Sequence, residues 1–129
     1  MTSVVLDASA VIALLKGERG ASKVGAVLAD AVVGVFNQAE VVSHFVQAGA
    51  PLDEVRTMLG ALPYAVVAAD EALGWDAGAL RAATSSAGLS LGDRFCLALA
   101  KRMNVPAVTA DRAWKDVAAA AGVKVQVIR

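Results

Sequence analysis

Four carboxylates occupy positions at which acidic side chains do chemistry in α/β proteins. The chain has only 12 acidic residues; Asp7 and Asp111 each end a short apolar run, and Glu40 and Asp93 lie early in segments with helical periodicity. In a parallel sheet, the carboxyl ends of the strands lie at the same edge as the N-termini of the helices that follow, so we expect the four acids to converge. Four like charges repel one another, and burial favours their neutral form. A divalent cation would remove that conflict, so the pattern predicts a metal site.

The two helical acids also have a structural interpretation as capping residues. The segments NQAE (37–40) and SLGD (90–93) both match a capping box, in which the acid bonds back to the amide at the helix start. At about 100° per residue, Asp93 is centred on an apolar face with Cys96 and Leu97, and an acid at such a position requires a partner. Glu40 shares its face with polar residues, so its helix pattern does not demand burial.

The two strand-end acids are ambiguous when each is considered alone. Asp7 and Asp111 are both placed to cap the helix that follows, which is a common role for aspartate. Two strand-end acids together with Asp93 favour a functional site over three separate caps.

Five short apolar runs alternate with helical segments along the chain. We predict strands at 4–7, 32–36, 64–69, 106–111 and 123–128. Helices are predicted at 11–15, 22–30, 37–48, 52–59, 71–85, 91–103 and 113–121. Continuous apolar runs are typical of strands buried on both faces, and helical crossovers between them indicate parallel pairing. The prediction is a three-layer α/β/α fold with a mostly parallel sheet of about five strands.

Composition limits the class of protein to which the chain can belong. It has 129 residues, 57% of them hydrophobic, and this length and composition indicate one domain over residues 1–129 with a substantial core. The formal net charge is +0. The longest uncharged stretch, 57–69, contains Pro63 and is too short to span a membrane. We expect no secretory signal, and the lone Cys96 fits a reducing compartment, so a cytoplasmic location is expected. A neutral chain must hold any nucleic acid by a local patch, a metal or a dimer groove.

Four sequence blocks carry a resemblance to a known family. VVLDASAVIALL, NQAEVVSHF, LSLGDRFCLALA and VTADRAWKDVA resemble the motif blocks of PIN-domain ribonucleases, specifically the VapC toxins of bacterial and archaeal VapBC toxin–antitoxin modules. The similarity runs from the first strand to the last helix. The order and spacing of the acids is more specific than any single block, and the blocks also include Ser9 and Thr109, which lie two positions from the strand-end acids.

This resemblance implies a metal-dependent endoribonuclease. In such an enzyme, one or two Mg²⁺ or Mn²⁺ ions would be held by the four acids, Asp7, Glu40, Asp93 and Asp111. All-oxygen ligands suit these hard cations, and water retained by Mg²⁺ can supply the nucleophile.

Neighbouring polar residues receive smaller roles. Ser9 and Thr109 are expected to orient the carboxylates or metal-bound water. Asp116 is one helical turn beyond Asp111, and we interpret it as a solvated helix residue rather than a further ligand. His44 is four residues after Glu40, and a surface or packing role is favoured over ligation.

Basic and aromatic residues suggest where RNA would be held. Arg94, Lys101 and Arg112 are expected near the metal edge, and they are the candidates for phosphate contacts. The aromatic residues Trp75, Trp114 and Tyr64 are expected to pack inside the protein rather than to stack on bases.

The resemblance also implies protein partners. VapC-type toxins generally form homodimers and are inhibited by a cognate VapB antitoxin, whose C-terminal segment lies along a groove of the toxin. The segment VVSHFV (41–46) and the helix at 52–59 are the candidate groove.

Two other functions are considered. A phosphoacceptor receiver-like signalling domain would use Asp70 after the third strand, but it also needs an acid pair at the first strand and a lysine after the last, and both are missing here. A non-catalytic PIN-like binding module would be expected to lack one of the four acids, and all four are present.

Overall fold

The computed structural model describes residues 1–129, with a five-stranded sheet at its centre. The strands are β1 (Val4–Leu6), β2 (Ala31–Gly34), β3 (Ala65–Val67), β4 (Ala107–Thr109) and β5 (Val125–Val127). The α-helices are α1 (Ala8–Lys16), α2 (Ala21–Val27), α3 (Val35–Gln47), α4 (Leu52–Gly60), α5 (Glu71–Ala79), α6 (Arg81–Thr84), α7 (Leu91–Met103) and α8 (Ala118–Ala121). Three 3-10 helices cover Leu28–Asp30, Ser85–Ala87 and Arg112–Asp116.

The sheet is entirely parallel, with the strand order β3-β2-β1-β4-β5. Val5 of the central strand β1 is in register with Val32 of β2 on one side and with Ala107 of β4 on the other. The connections change direction between β1 and β4, and in doubly wound folds ligands bind at the carboxyl ends of the strands beside such a point. The fold therefore predicts a site next to the ends of β1 and β4.

Two hydrophobic clusters fill the spaces on either side of the sheet. One cluster joins the sheet to helices α1 to α4, and the other joins it to α5, α7 and α8. The strands β1, β2 and β4 are buried because both of their faces are covered. The prediction of a three-layer α/β/α fold is confirmed.

Several predicted boundaries are wrong. The second strand ends at Gly34, and α3 begins directly at Val35 instead of Asn37. Val35 and Phe36 are therefore exposed in a helix and not buried in a strand. The segment predicted as one helix over 71–85 is divided between α5, α6 and a 3-10 turn, and the helix predicted at 113–121 is a 3-10 turn followed by α8.

Strand β3 lies at the edge of the sheet, and its burial was predicted wrongly. Ala65 and Val66 are exposed, although the run looks apolar enough for a central strand. Pattern alone does not distinguish an edge strand from a central one, because strand order depends on the crossovers.

The sheet order also decides against a receiver-like fold. Receiver domains have the order 2-1-3-4-5, which places the third strand inside the sheet. Here β3 is at the edge, and Asp70 after it caps α5 by accepting a hydrogen bond from the N–H of Leu73. Both guanidinium nitrogens of Arg102 also donate to Asp70, and this pairing lowers the pKa of the carboxyl to about 2.

None of the helices combines the length and the hydrophobicity that a membrane span requires. Trp114 and Tyr64 are buried, as expected for packing residues. The same expectation is wrong for Trp75, which is 76% exposed on α5.

Candidate active site

Asp7 lies at the carboxyl end of β1 and is the most buried of the four acids. Its side chain caps α1, and its Oδ1 accepts the N–H of Ala10 at 2.9 Å. The hydroxyl of Ser9 lies 2.8 and 2.9 Å from the two carboxylate oxygens, and Thr109 Oγ1 donates to Oδ2 at 2.6 Å. All of these contacts bring protons to the carboxylate, so the network is complementary to its ionised form.

Backbone amides orient the two hydroxyls. Ser9 Oγ accepts the N–H of Ala110 at 2.9 Å, and Thr109 Oγ1 accepts the N–H of Asp111 at 3.1 Å. An amide N–H can only donate, so each hydroxyl keeps its own proton for Asp7. The structure thus places both predicted orienting residues on Asp7 and joins the end of β1 to the end of β4.

Asp111 caps the 3-10 helix that follows β4. Its Oδ1 accepts the N–H of Ala113 at 2.9 Å, and its other carboxylate oxygen has no hydrogen bond from the protein. The residue is exposed, beside the end of the strand that carries Thr109. Its backbone N–H connects it to the Asp7 network through Thr109.

Glu40 is positioned by a buried asparagine and a glycine. Asn37 is 1% exposed, and its amide nitrogen donates to Glu40 Oε1 at 2.9 Å and to the carbonyl of Gly92 at 3.0 Å. A Cβ added at Gly92 would lie 2.5 Å from both carboxylate oxygens of Glu40. Position 92 therefore has room for this carboxylate only because it carries no side chain. Glu40 does not form a capping box, since α3 begins before Asn37.

Asp93 does form the capping box that its sequence allows. The N–H of Ser90 donates to Asp93 Oδ2 at 2.9 Å, and the N–H of Asp93 donates to Ser90 Oγ at 3.2 Å. The other carboxylate oxygen has no hydrogen bond from the protein. A cap and a ligand are compatible roles, because a carboxylate offers about four lone-pair sites.

The charges of three acids act on one another. Burial raises the pKa of Asp7 to about 6 against the opposing hydrogen bonds from Thr109, Ala10 and Ser9, and the charge of Asp93 adds to this rise. Burial raises the pKa of Glu40 as well, again with a contribution from Asp93.

The thiol of Cys96 lies beside the same acids. Burial raises its pKa well above the ordinary value, and the charges of Asp7, Asp93 and Glu40 raise it further. The thiol is therefore neutral at physiological pH. The charges of these three acids therefore all act on the buried start of α7.

The donor chemistry of this cluster fits a hard divalent cation, although the side chains do not form a complete ligand set. No group of three or more acidic, histidine or cysteine side chains lies close enough together to hold a metal ion as the side chains are placed. The repulsion among Asp7, Glu40 and Asp93 is of the kind that a cation relieves, and Glu40, Asp93 and Asp111 each keep one oxygen free of protein hydrogen bonds.

A family model of the PIN domain matches residues 4–120. This range includes both strand ends, Asn37 and the start of α7. The chain belongs to the PIN domain family.

Solved structures with the same fold come from several bacteria. A toxin–antitoxin complex from Klebsiella pneumoniae has a TM-score of 0.76 at 18% identity, with 98% of each chain covered. DNA-bound VapBC from Salmonella typhimurium has a TM-score of 0.76 at 14% identity over 100% of each chain, and FitAcB from Neisseria gonorrhoeae has 0.75 at 17% over 97% of each. At these identities, the likeness shows a common fold. No curated protein matches this PIN domain significantly.

The three basic residues predicted to contact RNA phosphates lie in different surroundings. Arg94 is 7% exposed, and its Nη1 donates to the carbonyl of Ala77 near the end of α5, so its guanidinium is not offered to a phosphate. Lys101 lies beside Gly122 in the turn before β5, at the edge of the sheet opposite the acids. Lys101 therefore does not lie at the metal edge as expected, whereas Arg94 follows Asp93 there but directs its guanidinium to Ala77. Arg112 is exposed next to Asp111, and its Nε donates to the carbonyl of Arg129.

Two further candidates stay outside the acid cluster. His44 is exposed on α3, edge-on to the ring of Phe45. Asp116 is exposed at the end of its 3-10 helix. Neither contacts any of the four acids by a hydrogen bond.

Asn37 and Gly92 are functional-site residues that the sequence analysis misses. The sequence pattern indicates only a capping role for Asn37, yet the residue connects α3 to α7 and holds Glu40. The signal in the sequence is its i, i+3 spacing to Glu40, which places both side chains on one face of a helix. Nothing in the sequence indicates that Gly92 and Glu40 meet, because they lie on different helices.

Proposed function

We propose that this PIN domain is a Mg²⁺- or Mn²⁺-dependent endoribonuclease and the toxin of a VapBC-type toxin–antitoxin module. The observation that carries the proposal is the buried carboxylate of Asp7, fixed by Ser9 and Thr109 at the switch point of the sheet and repelled by Asp93. PIN domains are generally nucleases, and the structural neighbours include a toxin–antitoxin complex and DNA-bound VapBC. Both facts support the proposal.

In the proposed reaction, the chain supplies one fixed carboxylate ligand and three adjustable carboxylate ligands to the metal site. A bound divalent cation would supply a Lewis acid and an activated water for in-line displacement at phosphorus. Asp7 would be the fixed ligand, because hydrogen bonds hold both of its oxygens in place. Glu40, Asp93 and Asp111 would be the ligands that adjust, each through its free oxygen.

The surroundings of Asp7 also control its proton. Thr109, Ser9 and Ala10 all donate to the carboxylate and favour its ionised form, whereas burial favours the protonated form. Ligation requires the ionised form, so the donors keep Asp7 ready to bind a cation. Arg112, which is exposed beside Asp111, is the basic residue that we propose for contact with an RNA phosphate near this edge.

The test is cleavage of total bacterial RNA by purified protein with Mg²⁺, Mn²⁺ or EDTA. We expect discrete cuts that require metal, with 5′-phosphate and 3′-hydroxyl ends, and their loss in Asp7→Asn. Asp76→Asn, which changes an exposed acid on α5, is the matched control and should cut normally. Binding of Mn²⁺ followed by electron paramagnetic resonance gives a second readout, and it should weaken in Asp7→Asn only.

A non-catalytic RNA-binding module is the alternative, because the side chains as placed do not complete a metal-ligand set. Protein that binds RNA, binds no Mn²⁺ and cuts nothing would support this alternative and contradict the nuclease proposal.

The proposed antitoxin would lie in a cleft between α3, α4 and β3. This cleft has a volume of about 580 Å³ and is lined mainly by apolar side chains: Gln38, Val42, Leu52, Val55, Arg56, Leu59, Gly60, Leu62, Tyr64 and Val66. Both predicted groove segments contribute to it, through Val42 and through α4. Leu52 and Val66 are nearly half exposed there. An extended peptide with apolar side chains is the ligand that fits, and a second copy of the chain is proposed as an additional partner on another face.

A further inference from the structure

Two phenylalanines stack at the rim of the acid cluster. The rings of Phe36 and Phe95 lie with their centroids 4.5 Å apart and their planes 13° from parallel. Phe95 is half-buried and packs against the cluster that joins α5 and α7 to the sheet, whereas Phe36 is 38% exposed. The stack therefore extends from the core to the surface, and part of Phe36 is open to solvent.

Helix geometry places this stack beside Glu40 and Gly92. Phe36 and Glu40 are four residues apart on α3, which makes them neighbours on one helix face at about 5–6 Å between Cβ atoms. Phe95 is three residues after Gly92 on α7. The same contact between the two helices thus pairs Phe36 with Phe95 and Asn37 with Gly92. The open ring is one helical turn from the Glu40 carboxylate.

Exposed apolar side chains lie close to the two phenylalanines in the chain. Val35, which precedes Phe36, is 44% exposed, and Leu91, one turn before Phe95, is 45% exposed. The sequence has no net charge, and Arg94 and Lys101 do not serve the acid edge. A polynucleotide at this edge therefore has apolar and aromatic surface to contact but few cations.

We propose that the exposed face of Phe36 is a stacking platform for an unpaired nucleobase next to the phosphate that is cut. This inference rests on the proposed nuclease function and adds a base subsite to it. Every base has a π-face, and base–aromatic stacking holds single strands without needing charge. A base must leave its helical stack to lie on Phe36, so the substrate is RNA that is single-stranded at the cut, in a loop or an unpaired segment.

The experiment measures RNA affinity without cleavage. In the Asp7→Asn background with Mg²⁺, fluorescence anisotropy compares a short fluorescein-labelled single-stranded RNA with the same strand in a duplex. Phe36→Leu removes the ring but keeps an apolar side chain, and it should weaken binding of the single strand roughly tenfold or more. Phe36→Trp keeps a π-face and should retain binding. Trp75→Leu removes the exposed ring of α5, which lines a separate surface, and should change nothing.

Each outcome separates the platform from the nuclease. If Phe36→Leu and its parent bind the single strand with equal affinity, the platform is overturned. It is also overturned if Phe36→Leu loses as much affinity for the duplex as for the single strand. A shift of Phe36→Leu toward monomer in sedimentation would also overturn it, because the ring would then belong to an interface between copies. If the protein with Asp7 intact cuts RNA while Phe36→Leu cuts it with unchanged kcat/KM, only the platform fails. If the protein with Asp7 intact cuts no RNA at all, the proposed function fails.

Discussion

At the scale of single residues, the site is built from groups that each do two things. Asp7 ends a strand and caps a helix, Thr109 ends another strand and donates to Asp7, and Asp93 caps α7 while repelling Asp7. Capping explains why the acids stand at these positions in an α/β fold. It does not explain the burial of Asp7 or the two hydroxyls directed at it, which a simple cap does not need.

Asp7 makes the stability of the metal-free protein depend on pH. Its folded-state pKa of about 6 lies above the ordinary value of 3.8, so the folded protein binds this proton more tightly than the unfolded chain does. That contribution is present in full at low pH and is lost as pH rises through about 6. Lowering pH from 7 to 5 should raise the free energy of unfolding by about 1 kcal/mol through this group.

Urea unfolding in EDTA at several pH values measures this effect. Asp7→Asn has no titrating group at position 7 and serves as the control for all other carboxyls and for His44. The predicted quantity is the difference between the two pH profiles. Parallel profiles would show that Asp7 titrates normally.

Gly92→Ala should separate activity from stability. The added methyl group would meet the Glu40 carboxylate, so Glu40 must leave its bond with Asn37. We expect RNA cleavage to fall by roughly tenfold or more, because misplacing a catalytic group by about 1 Å can cost a hundredfold. Alanine is favoured over glycine inside a helix, so a large loss of stability is not expected.

Gly74→Ala is the matched control for that substitution. Gly74 lies within α5, where an added Cβ meets nothing within 4 Å. This variant should gain stability and cleave normally. Full activity in Gly92→Ala, measured on the same RNA, would show that the position of Glu40 is unimportant.

At the scale of elements, α7 shows both how far the sequence leads and where it stops. Its bounds, 91–103, are predicted to the residue, because Ser90 and Asp93 begin it and Asn104 ends it with a left-handed backbone at φ 55°. Its apolar stripe correctly indicates that Asp93 borders a buried volume. A helical projection also places Arg94 with Lys101, and here it misleads.

A helical projection of α7 shows neither which helix packs against each face nor how far along the helix axis a residue lies. Helix α5 covers the side of α7 that carries Arg94, and the carbonyl of Ala77 accepts a hydrogen bond from the guanidinium. Lys101 is eight residues beyond Asp93, about 12 Å along the helix, and so reaches the opposite edge of the sheet. Strand β3 illustrates the same limit, because its apolar run does not reveal that it lies at an edge.

The salt dependence of RNA binding tests these placements. Each phosphate contact on single-stranded RNA contributes about 0.7 to the slope of log affinity against log salt. Arg112→Gln should reduce the slope by about that amount, whereas Arg94→Met and Lys101→Gln should leave it unchanged. Anisotropy titrations over a range of KCl concentrations give the slopes. A reduced slope in Arg94→Met would mean that the guanidinium leaves Ala77 to meet RNA.

At the scale of the whole molecule, two surfaces divide the proposed functions. The acid edge, with its stacked phenylalanines, is proposed for RNA, and the cleft between α3, α4 and β3 is proposed for the antitoxin. Helix α3 borders both, with Phe36 and Glu40 at the first and Gln38 and Val42 at the second. A protein seated in the cleft would therefore lie within reach of the acids.

Leu52→Glu should weaken antitoxin binding without unfolding the protein. Leu52 is 49% exposed in the cleft and is the first residue of α4, where an acid interacts favourably with the helix dipole. Placing a charge against an apolar partner should raise the Kd roughly tenfold or more, as measured by calorimetry with the proposed VapB-type antitoxin. Trp75→Glu puts the same charge on the exposed apolar surface of α5 and should leave the Kd unchanged. Equal affinities in all three proteins would exclude the cleft.

The central strand β1 has a consequence for how the protein comes into being. Asp7 is synthesised near the beginning of the chain, but Thr109, which donates to it, lies 102 positions later. Because β1 pairs with β4, the sheet cannot close around its central strand until β4 has left the ribosome. A nascent chain thus carries its acids apart for most of translation. The acids therefore come together only after synthesis has passed the fourth strand.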